Sequence, residues 1–305
     1  MRIPRTIGIV IAGVLAVSGS TALAGCAPAA APARQDGRIA VVASTSVYGD
    51  IARAVGGSAI TVTSLITDAS QDPHSFEASA QDQLAVAKAD VVIENGGGYD
   101  DFMTSLRSGS GGHPDVVDAV KVSGQNAGGD AFNEHVWYDF TAMGSVAERL
   151  AEAFSTLAPA HRRDFTAGEA AFAAGLAGLQ HDAAAVKQSH AGSGVAVTEP
   201  VPLYLLEACG LENKTPAAFS RAVEEGTGVA PALMHATLQL FVDKRVRLLV
   251  YNAQTSGPET EQLRAAAKAS GIPAVAVTET LPQGASYLGW MGENLAKIRA
   301  ALAHG

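Results

Sequence analysis

Two imidazoles and two carboxylates follow predicted strands of this sequence. They belong to His74, His135, Glu199 and Glu279. In open parallel sheets, ligands bind beyond the carboxyl ends of the strands, so these four side chains are candidates for one shared site. A set of two nitrogen and two carboxylate ligands suits a first-row divalent metal, and its two negative charges balance a 2+ ion. Coordination numbers from four to six are within its reach, so both Zn²⁺ and Mn²⁺ fit.

Each of the four residues also has an ordinary structural interpretation. A histidine in such a position often caps or fills a loop. Glu199 is also explained as a carboxylate favoured by the dipole of a helix N-terminus, and Glu279 as a solvated loop acid. The remaining histidines lie in predicted loops or on helix faces and are assigned no ligand role: His113, His161, His181, His190, His235 and His304.

The elements that would position these residues alternate between short apolar strands and helical patterns. This alternation predicts an α/β fold with two lobes, 39–140 and 191–305, each a largely parallel sheet with flanking helices. Residues 141–190 are predicted to be helical, and their Ala-rich second part forms one long helix that joins the lobes. Residues 107–133 are rich in Gly, Ser and Asn and are predicted to be surface loop around a short fourth strand.

The N-terminus has the pattern of an export signal over residues 1–25. Two arginines precede the apolar run 7–17, which is too short to span a bilayer. The run Leu23-Ala24-Gly25-Cys26 resembles a bacterial lipobox, which predicts lipidation of Cys26 and a flexible tether over 26–38. The alternative is an ordinary signal peptide with an incidental cysteine. The lipobox interpretation predicts an extracytoplasmic protein anchored to the cell membrane through its lipid.

Composition excludes several classes of function. The chain has 305 residues, 48% of them hydrophobic, so it can bury a large core. Its formal net charge of -9 argues against nucleic acid as a partner. Two cysteines are too few for a disulfide scaffold or a cysteine-rich zinc module, and Cys209 stands in an apolar run that predicts burial.

Three segments resemble motifs of the metal-binding solute-binding proteins of zinc/manganese ABC importers. Residues 72–77, Asp-Pro-His-Ser-Phe-Glu, resemble the family's Asp-Pro-His-x-(Tyr/Phe)-Glu segment. Residues 133–139, Asn-Glu-His-Val-Trp-Tyr-Asp, resemble its Asn-Pro-His-x-Trp-x-Asp segment. Residues 95–100, Asn-Gly-Gly-Gly-Tyr-Asp, resemble its Asn-Gly-x-Gly-x-Glu turn. The order is the family's, and residues 287–298 resemble its last helix.

The resemblance implies one metal ligand from each of four places. His74 and His135 match the family directly, and Glu199 matches the glutamate of its manganese-type members. The family has Asp at the fourth place, where Glu279 is one methylene longer. Glu134 replaces a proline of the family's motif. The set favours manganese by analogy, whereas intrinsic affinity favours zinc, so both metals stay open as the transported ligand.

The same resemblance implies a monomeric, lipid-anchored receptor that delivers its ion to an ABC-transporter permease, with the long helix as a rigid connection between the lobes. Two alternatives remain. An envelope metallohydrolase would need an open coordination position and a general base, and the sequence contains no His-Glu-x-x-His or Gly-x-Ser-x-Gly motif. We therefore expect no enzyme activity. The other alternative is an adhesin or assembly protein of the envelope whose metal is structural.

Overall fold

The computed structural model describes residues 37–68, 71, 73, 76–125, 132–255 and 257–304. The predicted export signal, Cys26 and nearly all of the predicted tether lie outside these ranges, so they stay predictions. Within the described ranges, no helix combines the length and the apolar character that a membrane crossing requires.

The first half of the chain forms a four-stranded parallel sheet in the order β2-β1-β3-β4. Its elements, in chain order, are β1 (Ile39–Thr45), α1 (Ser46–Gly56), β2 (Ile60–Ile66), α2 (Ala80–Ala87), β3 (Val91–Glu94), α3 (Asp101–Ser110), β4 (Asp115–Asp118) and α4 (Ala119–Ser123).

Two helices connect the halves. They are α5 (Phe140–Leu157) and α6 (Arg162–His190). The 29 residues of α6 span about 43 Å at the rise of an α-helix. This helix packs against α1 and α5, and also against two helices of the second half. Its buried face therefore ties both halves together, as predicted for the long helix.

The second half repeats the topology, with the strand order β6-β5-β7-β8 in a second parallel sheet. Its elements, in chain order, are β5 (Gly194–Val197), α7 (Leu203–Ala208), β6 (Glu212–Asn213), α8 (Ala217–Glu224), α9 (Pro231–Val242), β7 (Leu248–Asn252), α10 (Pro258–Ala269), β8 (Ala274–Val277) and α11 (Tyr287–His304). The predicted α/β fold with two lobes is confirmed, whereas the exact lobe boundaries stay predictions.

Alternation along the strands divides the apolar side chains between two layers. In β1, Val41 and Ala43 belong to the large central core, which continues through α5, α6 and α11 into the second sheet. Val42 points to the other face, where it packs with α2 and α3. Because successive strand residues face opposite sides, each sheet is covered on both faces, as a parallel sheet requires. Cys209 is fully buried in the central core, as predicted, and its burial raises the pKa of its thiol to about 12.

Local signals fix several helix starts. Ser79 and Asp82 form a capping box at the start of α2, and Asp139 accepts hydrogen bonds from the first backbone amides of α5. Pro231 and Pro258 occupy the first turns of α9 and α10, where a missing N–H costs nothing.

The prediction of surface loop over 107–133 is wrong in part. Helix α3 continues to Ser110, and α4 occupies 119–123. Glycine and serine in α3 disfavour a helix, but burial of Met103 and Leu106 on one face outweighs that preference. Helix α8 was also missed by the sequence analysis. It buries Phe219 and Val223 on one side in the same way.

Candidate metal centre

Two of the predicted residues meet at the carboxyl edge of the second sheet. Glu199 follows β5 and Glu279 follows β8, while Asn252 is the last residue of β7, which lies between these two strands. The Asn252 side-chain amide donates to Glu199 Oε2 at 2.7 Å and to Glu279 Oε1 at 2.6 Å. All three side chains are almost entirely buried. A single amide therefore holds two carboxylates close together and partly offsets their repulsion.

The orientation of the Asn252 amide follows from the contact that its oxygen makes. Its Oδ1 accepts a hydrogen bond from the backbone N–H of Gln254 at 3.0 Å, so its nitrogen faces the carboxylates. Thr198 fixes the backbone of the same residue by accepting from its N–H. Asn252 is thus held through both its backbone and its side chain.

His135 lies in the segment that precedes a short 3-10 turn, Val136–Tyr138, and is fully buried. Its Nδ1 lies 2.7 Å from Asn133 Oδ1. Since a side-chain carbonyl only accepts, Nδ1 carries the proton and Nε2 is the nitrogen that presents a lone pair. The edge of the ring packs against Trp137, with the centroids 5.0 Å apart.

The glycine-rich turn between β3 and α3 brings Tyr99 to the same place. Asp100 accepts from the backbone N–H groups of Asn95 and Gly96, which closes the turn. Tyr99 OH then donates to Glu279 Oε2 at 3.2 Å. The centroids of the Tyr99 and His135 rings are 5.8 Å apart. Tyr99 therefore joins the histidine of the first half to a carboxylate of the second.

Asn133 makes a second connection between the halves. Its side-chain amide donates to the carbonyl of Pro200 at 3.1 Å, and its own carbonyl accepts from Tyr204 OH at 2.8 Å. Pro200 directly follows Glu199. The residue that orients His135 thus also holds the segment that carries Glu199.

Glu224, at the end of α8, is the main acidic residue that the sequence analysis did not select. Its Oε1 lies 3.5 Å from His135 Nε2, and its side chain is 13% exposed. Glu134, His135 and Glu224 offer ligand atoms that all lie within 4.8 Å of one another. Burial raises the pKa of Glu224 to about 9, with further contributions from Glu134, Glu199 and other nearby carboxylates.

The structure connects three of the four predicted side chains, His135, Glu199 and Glu279, through Asn252 and Tyr99. Among the described residues, the ligand atoms that lie within 4.8 Å of one another are instead those of Glu134, His135 and Glu224. His74 lies outside the described residues, although Pro73 before it is buried. The ligand roles of all four residues stay predictions.

Asn252, Asn133 and Tyr99 had no assigned role in the sequence analysis. Asn252 could have been selected in the same way as Glu199 and Glu279, because it is also a polar residue at the carboxyl end of a strand. Asn133 and Tyr99 lie inside recognised motifs, but only the fold reveals what they contact. Glu224 was not selected, because it follows no predicted strand and the helix that carries it was not predicted.

The two parallel sheets, the long connecting helix and the buried imidazole and carboxylates between them define a two-lobed binding-protein fold. The model of the family "ZnuA: Zinc-uptake complex component A periplasmic" matches residues 41–301. The chain belongs to this family.

Similar proteins are found among curated sequences. "Manganese-binding lipoprotein MntA" of Bacillus subtilis is 30% identical over an alignment of 149 positions that covers 47% of this chain and 48% of MntA. The match thus spans about half the length of that relative. "Manganese ABC transporter substrate-binding lipoprotein PsaA" of Streptococcus pneumoniae is 24% identical over an alignment of 314 positions that covers 96% of this chain and 98% of PsaA.

Among solved structures, the periplasmic zinc-binding protein TroA of Treponema pallidum superposes with a TM-score of 0.73 at 20% identity. The superposition covers 87% of this chain and 99% of TroA. At that identity the likeness establishes the shared fold.

Proposed function

We propose that this protein is a lipid-anchored, extracytoplasmic substrate-binding protein that captures Mn²⁺ or Zn²⁺ between its lobes. It delivers the ion to the membrane permease of an ABC importer. The observation that carries this proposal is the arrangement around Asn252, where one amide holds the two carboxylates of Glu199 and Glu279. Tyr99 connects Glu279 to His135 at the same place.

The proposed ligands are His74, His135, Glu199 and Glu279. Three of them are described, and they combine imidazole nitrogen with carboxylate oxygen in a buried setting. Buried carboxylates of like charge are unfavourable unless something positive joins them, and a divalent cation meets that need. His74 completes the set on the basis of its motif.

The names of the relatives support both metals. MntA and PsaA are named for manganese, while TroA and the family itself are named for zinc. Two of these names include the word lipoprotein, which supports Cys26 as the anchor and residues 26–38 as the tether. A monomer with the lobes 39–140 and 191–305 is the simplest form of such a receptor.

The proposal includes no catalytic step. The chemistry of the site is capture and release, so the protein needs side chains that enclose the ion and no activated water. Release requires that ligands from the two lobes separate, and the hydrogen bonds from Asn133 and Tyr99 cross between those lobes.

Metal accumulation in cells tests this function. Deletion of the gene should abolish high-affinity uptake of radiolabelled manganese or zinc, and the intact gene should restore it. A Cys26→Ala variant should be released from the membrane fraction. Uptake that is unchanged by the deletion would contradict the proposal and favour a structural metal in an adhesin.

A further inference from the structure

The carboxylate of Glu224 lies next to the imidazole of His135. It ends α8, whose opposite face is fixed by Phe219 and Val223 in the core of the second lobe. This packing leaves the Glu224 carboxylate pointing into the site rather than into solvent, with Oε1 3.5 Å from His135 Nε2.

The nitrogen that Glu224 faces is the one suited to bind metal. Since Asn133 accepts from Nδ1, the lone pair of the neutral ring lies on Nε2. A metal bound by His135 would therefore lie on the Nε2 side, within reach of the Glu224 carboxylate.

Glu224 is surrounded by other acidic side chains. The charged groups that act on it are Glu134, Glu199, Glu279 and Glu225. An ionised carboxylate in such surroundings is costly unless a cation is present, because each of these four carboxylates opposes its ionisation. Glu134 approaches within 4.8 Å of the same atoms.

We infer that Glu224 is a further oxygen ligand of the transported ion and a determinant of which ion the site retains. This inference rests on the proposed function and adds a residue that the four-ligand set does not contain.

The chemical consequence is selectivity. With Glu224 the described residues offer three carboxylates and one imidazole. If His74 binds as proposed, the set exceeds the four donors that Zn²⁺ usually takes in protein sites. Carboxylate-rich sets with higher coordination suit Mn²⁺, while intrinsic affinity at any shared site favours Zn²⁺. Glu224 therefore strengthens binding of Mn²⁺ more than binding of Zn²⁺. It reduces the difference by which the intrinsic affinity for Zn²⁺ exceeds that for Mn²⁺.

The test compares Glu224→Gln with Glu152→Gln, a matched control on an exposed glutamate of α5. The purified full chain is titrated calorimetrically with Mn²⁺ alone and with Zn²⁺ alone. We expect Glu224→Gln to weaken Mn²⁺ binding at least tenfold more than Zn²⁺ binding. The control should change both affinities less than twofold. Glu224→Asp, which keeps the charge on a shorter stem, should give an intermediate ratio.

The outcomes separate the two claims. If wild type binds both metals and Glu224→Gln leaves the ratio of their affinities unchanged, the inference is wrong and the proposed function stands. Tighter binding of both metals in Glu224→Gln would also contradict it, because Glu224 would then compete with the ion. If wild type binds neither metal, the proposed function itself fails.

Discussion

Asn133 holds the imidazole of His135 through a contact of 2.7 Å between Oδ1 and Nδ1. The other end of the same amide donates to the carbonyl of Pro200 in the opposite lobe. One side chain therefore sets both the tautomer of His135 and the position of the strand end that carries Glu199. Residues that orient a metal-binding histidine in this way contribute strongly to affinity without touching the metal.

Asn133→Ala should weaken metal binding by about 10-fold to 100-fold, because His135 loses the acceptor that fixes its tautomer. Calorimetric titration with Mn²⁺ and Zn²⁺ measures the change. Asn213→Ala, on the exposed strand β6 away from the site, serves as the control and should bind as wild type does. Equal affinities of Asn133→Ala and wild type would rule out the positioning role.

Asn252→Leu should destabilise the metal-free protein and weaken metal binding. It removes hydrogen bonds to two buried carboxylates, each worth about 1.5–3 kcal/mol when the partner is charged. Urea denaturation should therefore show a loss of about 2 kcal/mol or more in the free energy of unfolding. Replacement of the exposed Gln262 by Ala should leave that free energy within about 0.5 kcal/mol. A stable Asn252→Leu protein would mean that the bridging amide contributes little.

Glu224→Gln should change how the stability of the metal-free protein depends on pH. The pKa of Glu224 is raised from 4.5 to about 9 in the folded state, so the folded protein keeps a proton that the unfolded chain has lost. Stability of wild type therefore falls as pH rises through this window, and the glutamine variant lacks that loss.

Thermal melting in the presence of a chelator measures this effect. The melting temperature of Glu224→Gln should exceed that of wild type by an amount that grows from pH 5 to pH 8. Glu152→Gln, at an exposed position of α5, should follow wild type at every pH. A constant difference between Glu224→Gln and wild type would show that the pKa of Glu224 is not raised.

Gly96→Ala should destabilise the turn that carries Tyr99. Gly96 has φ of 75°, and an added Cβ would clash with Asp118 Oδ1. Gly111 has a similar φ of 68°, but an added Cβ there meets nothing within 4 Å. Denaturant unfolding should show a loss of about 1 kcal/mol for Gly111→Ala and about 2–4 kcal/mol for Gly96→Ala. Equal losses would mean that Asp118 moves aside without cost.

The sequence was sufficient for most of the fold because its local signals agree with the final packing. The apolar strands, the capping box at Ser79 and the prolines that open α9 and α10 all act within a few residues. The α3 helix was not predicted, because its glycine and serine residues have low helix propensity. Burial of Met103 and Leu106 outweighs that low propensity in the folded protein. Such tertiary effects are invisible to local propensity.

The candidate site divides in the same way. Glu199 and Glu279 could be predicted from the sequence, because the ends of parallel strands meet at one edge of a sheet. Glu224 could not be predicted from the sequence, because its proximity to His135 depends on how α8 is oriented against the second sheet. His135 was recognised by its motif, but its link to Pro200 through Asn133 depends on contacts between residues about 70 positions apart in the chain.

The most direct test of the central claim is equilibrium dialysis of the protein against a mixed panel of divalent metals, read by elemental mass spectrometry. We predict about one Mn²⁺ or Zn²⁺ per chain, with retention lost in both His74→Ala and His135→Ala. His181→Ala, on the exposed face of α6, should retain the metal as wild type does. Absence of any bound transition metal from the wild-type protein would contradict the account.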